Sequence, residues 1–212
     1  MTLKLNGSTS GSVAIDAPAS TTGGAAITFK LPIADGSAGQ VLTTDGSGNW
    51  SWADQGVCIQ YVQVESDTNT DLGSATGDGT WTTAPSPFNA ITITPKRAGS
   101  KIKIVLYVPF YQDHSDLDFG MTASYKIGSG SYTRLGHVDG TYDTGLFSGY
   151  FNPSGVSLDY IWPVTIDYIH TPSSYSVGDV LTYKFEYWTN KDDCHWNGIR
   201  NGRCYARLEE WL

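Results

Sequence analysis

Long apolar runs are missing. No stretch approaches the roughly 18 residues that a membrane-spanning helix requires, so no membrane insertion is expected. The N-terminus, MTLKLNGSTSGSVAIDAP, has no apolar segment of the kind that directs secretion, and synthesis in a cytosol is the expectation. Charge is sparse too: 16% of residues are Asp, Glu, Lys or Arg, against roughly 25% in an average globular domain. Acidic residues number 21 and basic ones 13, a net charge of −8. Such a chain repels a phosphate backbone or an anionic lipid surface on average, so nucleic acid is not an expected partner. Arg200, Arg203 and Arg207 lie close together near the C-terminus, but three positives do not reverse the balance. Apolar residues nowhere keep the spacing i, i+3, i+4, i+7, which argues against helices.

Cysteine is rare. Cys58, Cys194 and Cys204 make an odd count whose spacing fits no zinc pattern. A hairpin turning at Asn197-Gly198 or Asn201-Gly202 would bring Cys194 and Cys204 together, yet in a reducing cytosol free thiols are the expectation. No nucleophilic triad is signalled: His114, His137, His170 and His195 are scattered, and no serine sits in a G-x-S-x-G turn. Glu209 and Glu210 are adjacent on a strand, so they point to opposite faces and do not form a converging acid/base pair. The chain is therefore expected not to be an enzyme and to hold no cofactor or metal.

Two acidic stretches invite a metal reading. DTNTDLGSATGD (67–78) sets Asp67, Asn69, Asp71 and Asp78 at positions one, three, five and twelve of a calcium loop. Leu72 stands where that loop needs glycine, however, and its last ligand is Asp rather than Glu. DHSDLD (113–118) clusters Asp113, His114, Asp116 and Asp118 after a strand. In both, a solvated loop is the plainer reading.

Gly, Ser, Thr and aromatic residues take the place of charge, a mix that suits short strands joined by tight turns. In residues 1–55 the alternation is brief: Leu3 and Leu5; Val13 and Ile15; Ile27, Phe29, Leu31 and Ile33. Turn-rich segments separate these runs, and DGSAG at 35–39 is echoed by DGSGN at 45–49. Such strands are too short to bury a core alone, yet disordered chains lack so regular a pattern. The segment reads as an extended, β-rich stem in which copies of the chain share a core, closing on Trp50 and Trp52.

Residues 56–212 read as a tip domain with strands at 57–65, 88–94, 101–111, 119–127, 132–138, 161–170, 180–188 and 204–212. About eight strands is the number of a two-sheet jelly roll, so the fold class expected is all-β. In 101–111, Ile102, Ile104, Leu106, Val108 and Phe110 share one side of a central strand, with Pro109 expected to mark its end or a bulge. Tyr183, Phe185 and Tyr187 alternate with Lys184, Glu186 and Trp188. One domain has one interior, so some C-terminal rings (Trp188, Trp196, Tyr205 and Trp211 among them) are expected at a subunit interface or a binding surface.

Two loops stand out. NKDDCHWNGIRNGR (190–203) holds His195, Trp196, Arg200 and Arg203, and Trp and Arg are frequent binding anchors. The alternative there is a hairpin whose tryptophan folds back onto the sheet. GTYDTGLFSGYFNPSG (140–155) carries Tyr142, Phe147, Tyr150 and Phe151, as either a recognition loop or a contact between copies.

The stretch SGSVAIDAP followed by ITFKLPIADGSAGQVLTTDGSGNWSW resembles an N-terminal module of tail-fibre and other virion proteins of tailed phages, notably those of marine cyanobacteria. FNAITITPKRAGSKIKIVLYVPF resembles the ITP…SKI signature of phage fibre-tip domains. YSVGDVLTYKFEYWT and the terminal CYARLEEWL are similar to the end of that pattern. The resemblance implies a homotrimer with a jelly-roll tip akin to the tumour-necrosis-factor-like fold, located in the virion. Its partners would be other tail or capsid proteins through the stem, and a host surface glycan or outer-membrane protein. Ile27, Phe29, Leu31, Ile33, Trp50 and Trp52 would form the trimer stem and its junction. A structural adaptor or capsid decoration, a secreted lectin-like domain and a glycan-degrading tip are the rival readings.

Overall fold

Runs of alternating residues in the sequence become strands in the structure. The computed structural model describes residues 3–6, 10, 12–15, 21, 24, 26–37, 39–54, 56–77, 80–112, 117–136, 145–151, 160–192, 194–197 and 202–212. The chain divides into two compact units, Met1–Gln55 and Gly56–Leu212.

In the first unit, β1 (Leu3–Asn6) pairs antiparallel with β2 (Ser12–Ile15), and β3 (Gln40–Thr44) with β4 (Trp50–Asp54). The second hairpin turns on DGSGN. There the Asp45 carboxylate accepts the backbone N–H of Ser47 at 2.7 Å and of Asn49 at 3.2 Å, and the Asn49 amide at 2.6 Å. The Asn49 bond, with the Ser47 N–H, holds the Asp45 carboxyl below the usual carboxylate range. Gly46 and Gly48 take φ of 76° and 88°, where a side chain would be strained. Residues 26–37 alternate like a strand but make one backbone bridge to the hairpin: the Lys30 N–H donates to Gly48 O and the Trp50 N–H to Lys30 O, both at 2.9 Å.

The second unit begins with β5 (Cys58–Ser66), β6 (Thr70–Asp71), β7 (Thr82–Thr83), β8 (Ile91–Ile93) and β9 (Lys101–Gln112). It continues with β10 (Leu117–Ile127), β11 (Thr133–Arg134), β12 (Phe147–Phe151) and β13 (Tyr160–His170), and ends with β14 (Leu181–Thr189), β15 (His195–Trp196) and β16 (Cys204–Trp211). The long strands pair from the outside inward: β5 with β16, β8 with β14, β9 with β13, β10 with β12. The chain is thus one doubled ribbon. Rolling it sets β9 beside β16 and β10 beside β14, which makes two antiparallel sheets, β5-β16-β9-β13 and β8-β14-β10-β12. This is a jelly-roll sandwich.

The core lies between the sheets. Ile102, Ile104, Leu106, Val108 and Phe110 of β9 are all fully buried, each side chain contributing about 1.5–3 kcal/mol. They meet Phe119, Met121 and Ala123 of β10 and Tyr183 and Phe185 of β14, with the Phe110 and Phe119 rings stacked at 4.9 Å.

Two expectations are corrected. Pro109 neither ends nor bulges its strand; it sits opposite Pro163 in an unbroken β9–β13 register. Neither proline has an N–H, so this must be a pair that exchanges no hydrogen bonds. On its other flank Pro109 faces the interval between β16, whose pairing stops at Tyr107, and β15, which joins at Tyr111. Second, the C-terminal rings divide: Tyr205 and Trp211 stay partly exposed, whereas the others do not reach the surface. Tyr183, Tyr187, Trp188 and Trp196 are all buried within one chain. Trp188, on the side of β14 away from the core, lies over its cross-strand partner Gly120 and meets Trp81 edge-on at 6.4 Å, so the chain covers part of its own outer face. Any side chain at position 120 would collide with that indole.

Candidate functional surfaces

Of the described residues of 190–203, the tryptophan turns inward. Trp196 is 1% exposed and packs between Phe88 at 5.6 Å and Tyr187 at 6.1 Å. Its neighbour His195 is half-buried, with Nδ1 at 2.9 Å from Asn69 Oδ1 and its ring edge on Tyr111. Arg203 is exposed and lies 3.5 Å from Glu65 in a surface ion pair of the kind that contributes little. Phe147 leans on Phe119 at 5.7 Å and packs against the core. The backbones of Tyr150 and Phe151 pair with Asp118 and Leu117. Tyr142 and Arg200 lie outside the described residues. The proposed contact residues are therefore not gathered into one site. Trp196 is a core residue: alternation along β15 aims it between the sheets while His195 faces out.

The two acidic stretches fare alike. The Asp71 carboxylate accepts the Gly73 N–H at 2.8 Å, an Asx turn, and Asn69 is engaged by His195. Asp78 and residues 113–116 lie outside the described residues. Among the described residues, no three His, Cys, Asp or Glu side chains gather to hold a metal. None of the three cysteines is in a disulfide; Cys194 and Cys204 are buried and Cys58 is exposed. Burial pushes the Cys204 thiol up to about 11, so it is unreactive.

Apolar surface is uncovered in two places. In the first unit Ile27, Phe29 and Leu31 are 58%, 63% and 71% exposed, and Ile33 is fully so. Phe29 packs edge-on against Trp50, at 5.4 Å, while Trp52 lies over Gly36 and donates its indole N–H to Ala34 O at 2.9 Å. A groove of about 460 Å³ runs between residues 30–34 and 49–52. In the second unit the outer face of β5-β16-β9-β13 carries Tyr61 (66% exposed), Ile169 (60%) and the stacked pair Tyr107 and Tyr205, rings 5.8 Å apart. Trp211 belongs to the same face; Glu209 accepts its indole N–H at 2.8 Å and pairs with Arg207 at 2.6 Å. A groove of about 310 Å³ lies among Lys101, Lys103, Ile169, Trp211 and Leu212.

The opposite outer face is polar. Glu186 on β14 is buried beneath Lys184, at 2.9 Å, and Arg134, at 3.3 Å, and accepts the Ser124 hydroxyl. Burial pushes its carboxyl up, but the hydrogen bonds from Lys184, Ser124 and Arg134 outweigh burial and hold it below the usual range. Lys126 and Lys184 both sit over the Tyr132 ring, at 5.1 Å and 4.7 Å, and Arg134 over Trp81 at 5.1 Å. Sequence reading missed this group because it joins β10, β11, β14 and the turn before β7. Its one local signal is the Gly/Ser turn at 128–131, which brings Lys126 and Tyr132 across from each other.

His170, at the end of β13, is buried against Tyr125 with Nδ1 2.8 Å from the Tyr183 hydroxyl. Burial lowers its pKa from 6.5 to about 4. Between those values the unfolded chain binds a proton that the folded chain does not, so stability falls as pH drops through that window and levels off below it. The loss is about 2–3 kcal/mol. Urea unfolding of the native protein and of His170→Gln, compared at pH 7 and pH 4, isolates this from the carboxylates; equal pH slopes in the two proteins would contradict it.

No family model matches the chain, and no curated protein matches it. Among solved structures it is similar to the VP2 subviral particle of infectious bursal disease virus, at 9% identity and a TM-score of 0.26, over 77% of this chain and 44% of that one. It is also similar to the structure of the Gx strain of that virus, at 13% identity and a TM-score of 0.18, over 76% and 43%. The chain spans less than half the length of either.

Proposed function

We propose that the chain is a virion structural protein: a short trimeric fibre or spike whose residues 1–55 join the phage particle and whose jelly roll meets the host surface. The observation that carries this is uncovered apolar surface in both units. The Ile27–Ile33 stripe is left exposed, as are Tyr61 and Ile169 on the second unit, and exposed apolar patches on a soluble domain mark interaction sites. Further copies of the same chain supply matching cover for both surfaces. The likeness of the ITITPKRAGSKI and Gly/Ser-rich segments to phage fibre proteins supports a virion setting. Its other partners are tail or capsid proteins at the stem and a host surface glycan or outer-membrane protein at the tip. The chain carries out no catalysis in this reading.

Trp50→Ser with Trp52→Ser removes the rings that shape the stem's apolar groove and is expected to lower the melting temperature of the assembled protein. An unchanged melting temperature would rule out that role. A second reading, an adaptor or capsid decoration that meets no host, is favoured by the inward placement of Trp196 and Phe147. Purified, fluorescently labelled protein applied to cyanobacterial cells separates the two: saturable binding supports the fibre tip, and binding to no strain supports the adaptor.

A further inference from the structure

We infer that the outer face of β14-β10-β11 binds an anionic saccharide, a sugar unit bearing a carboxylate or sulfate, through Lys126, Arg134, Lys184 and the ring of Tyr132. This deepens the host-surface reading and rests on it. The register sets Arg134 beside Ser124, Ser124 beside Lys184, and Lys126 beside Thr182, so the three cations share one face. Among the described residues a single carboxylate, Glu186, pairs with them, and it is buried beneath two of them. The patch is therefore net positive on a chain whose net charge is −8.

Lys126 has no carboxylate partner among the described residues; its ammonium lies over the Tyr132 ring, as does that of Lys184. Two ammonium groups on one ring repel each other, and each cation–π contact returns only about 0.5–1 kcal/mol at an exposed site. A bound anion turns that repulsion into attraction. The rest of the face suits a sugar. Tyr132 is an exposed aromatic ring, and the hydroxyls of Thr83 and Thr92 are exposed on strands flanking β14. The patch gathers three cations, whereas a nucleic acid presents a charge every ~1.7 Å along its axis and calls for a long basic stripe. Within the second unit this face and the one assigned to assembly belong to the two different sheets of the sandwich.

The test is calorimetric titration of the full chain with three probes: a uronic-acid tetrasaccharide, its carboxyl-reduced analogue, and poly-glutamate. The acidic tetrasaccharide is expected to bind, more weakly as salt rises, and the reduced analogue to bind at least about tenfold more weakly. Lys126→Glu, which breaks no ion pair of the fold, is expected to lose binding by a similar factor while melting as the native protein does; Lys191→Ala, away from the patch, is expected to change nothing. Equal binding of acid and reduced sugars, unaltered binding by Lys126→Glu, no binding at all, or binding of poly-glutamate in place of the sugar would each overturn the inference. If the sugar binds through Lys126 but labelled protein adheres to no cell, the patch stands and the host-surface reading falls.

Discussion

Glu210→Ala is expected to cost about 3–5 kcal/mol, the scale of leaving several buried donors without an acceptor. Glu210 is fully buried, and its carboxylate is met by neutral donors. Its Oε1 accepts the Lys96 N–H at 2.9 Å, the Arg97 N–H at 3.1 Å and the Ser100 hydroxyl at 2.7 Å. Its Oε2 accepts the Gln60 amide at 2.6 Å and shares the Lys96 N–H at 3.0 Å. One carboxylate thus ties the turn between β8 and β9 to the pair β5–β16, the outermost pair of the doubled ribbon. Glu210→Gln keeps the shape but turns an N–H₂ toward donors, so an intermediate loss is expected. Urea unfolding measures both; a loss below about 1 kcal/mol for the alanine variant would mean that water replaces the carboxylate at little cost.

Trp196→Ala is expected to cost about 3–5 kcal/mol, as for other fully buried aromatic side chains. Trp196→Phe, which keeps a ring against Phe88 and Tyr187, is expected to lose less than half of that. A tryptophan acting as a surface anchor behaves in the opposite way: its removal leaves stability almost intact and abolishes binding. Near-native stability of Trp196→Ala would therefore return this residue to the recognition loop.

Trp196 also marks where the sequence stops being informative. In β9 every second residue is apolar across a long run, so the buried side and the central position are readable directly. In a two-residue strand such as His195–Trp196 there is no period to read, and composition alone does not tell an anchor from a core ring. The all-β class was readable from turn spacing, but not every strand: the expected strand at 132–138 is only Thr133–Arg134, and Phe147–Phe151, read as a loop, is a strand. Pro109 misled because a proline's effect depends on which neighbour it faces, a property of strand order rather than of the strand. Trp188 misled because β14 is covered on both sides, its second cover being Trp81 from a distant segment. The Lys126–Arg134–Lys184 face was invisible for the same reason: its members are remote in sequence and meet only once the ribbon is rolled. In the first unit the alternating apolar residues at 27–33 are exposed, and the segment forms a bridge rather than the strand their spacing suggests.

The most direct test of the central claim, that this chain works as an assembly of its own copies, is the mass of the purified protein by light scattering after gel filtration. Three copies of the 23.0 kDa chain correspond to about 69 kDa, and a single species of that mass is the expected result. A stable monomer of 23.0 kDa at micromolar concentration, with the Ile27–Ile33 stripe and the Tyr61–Ile169 face both left in water, would contradict it.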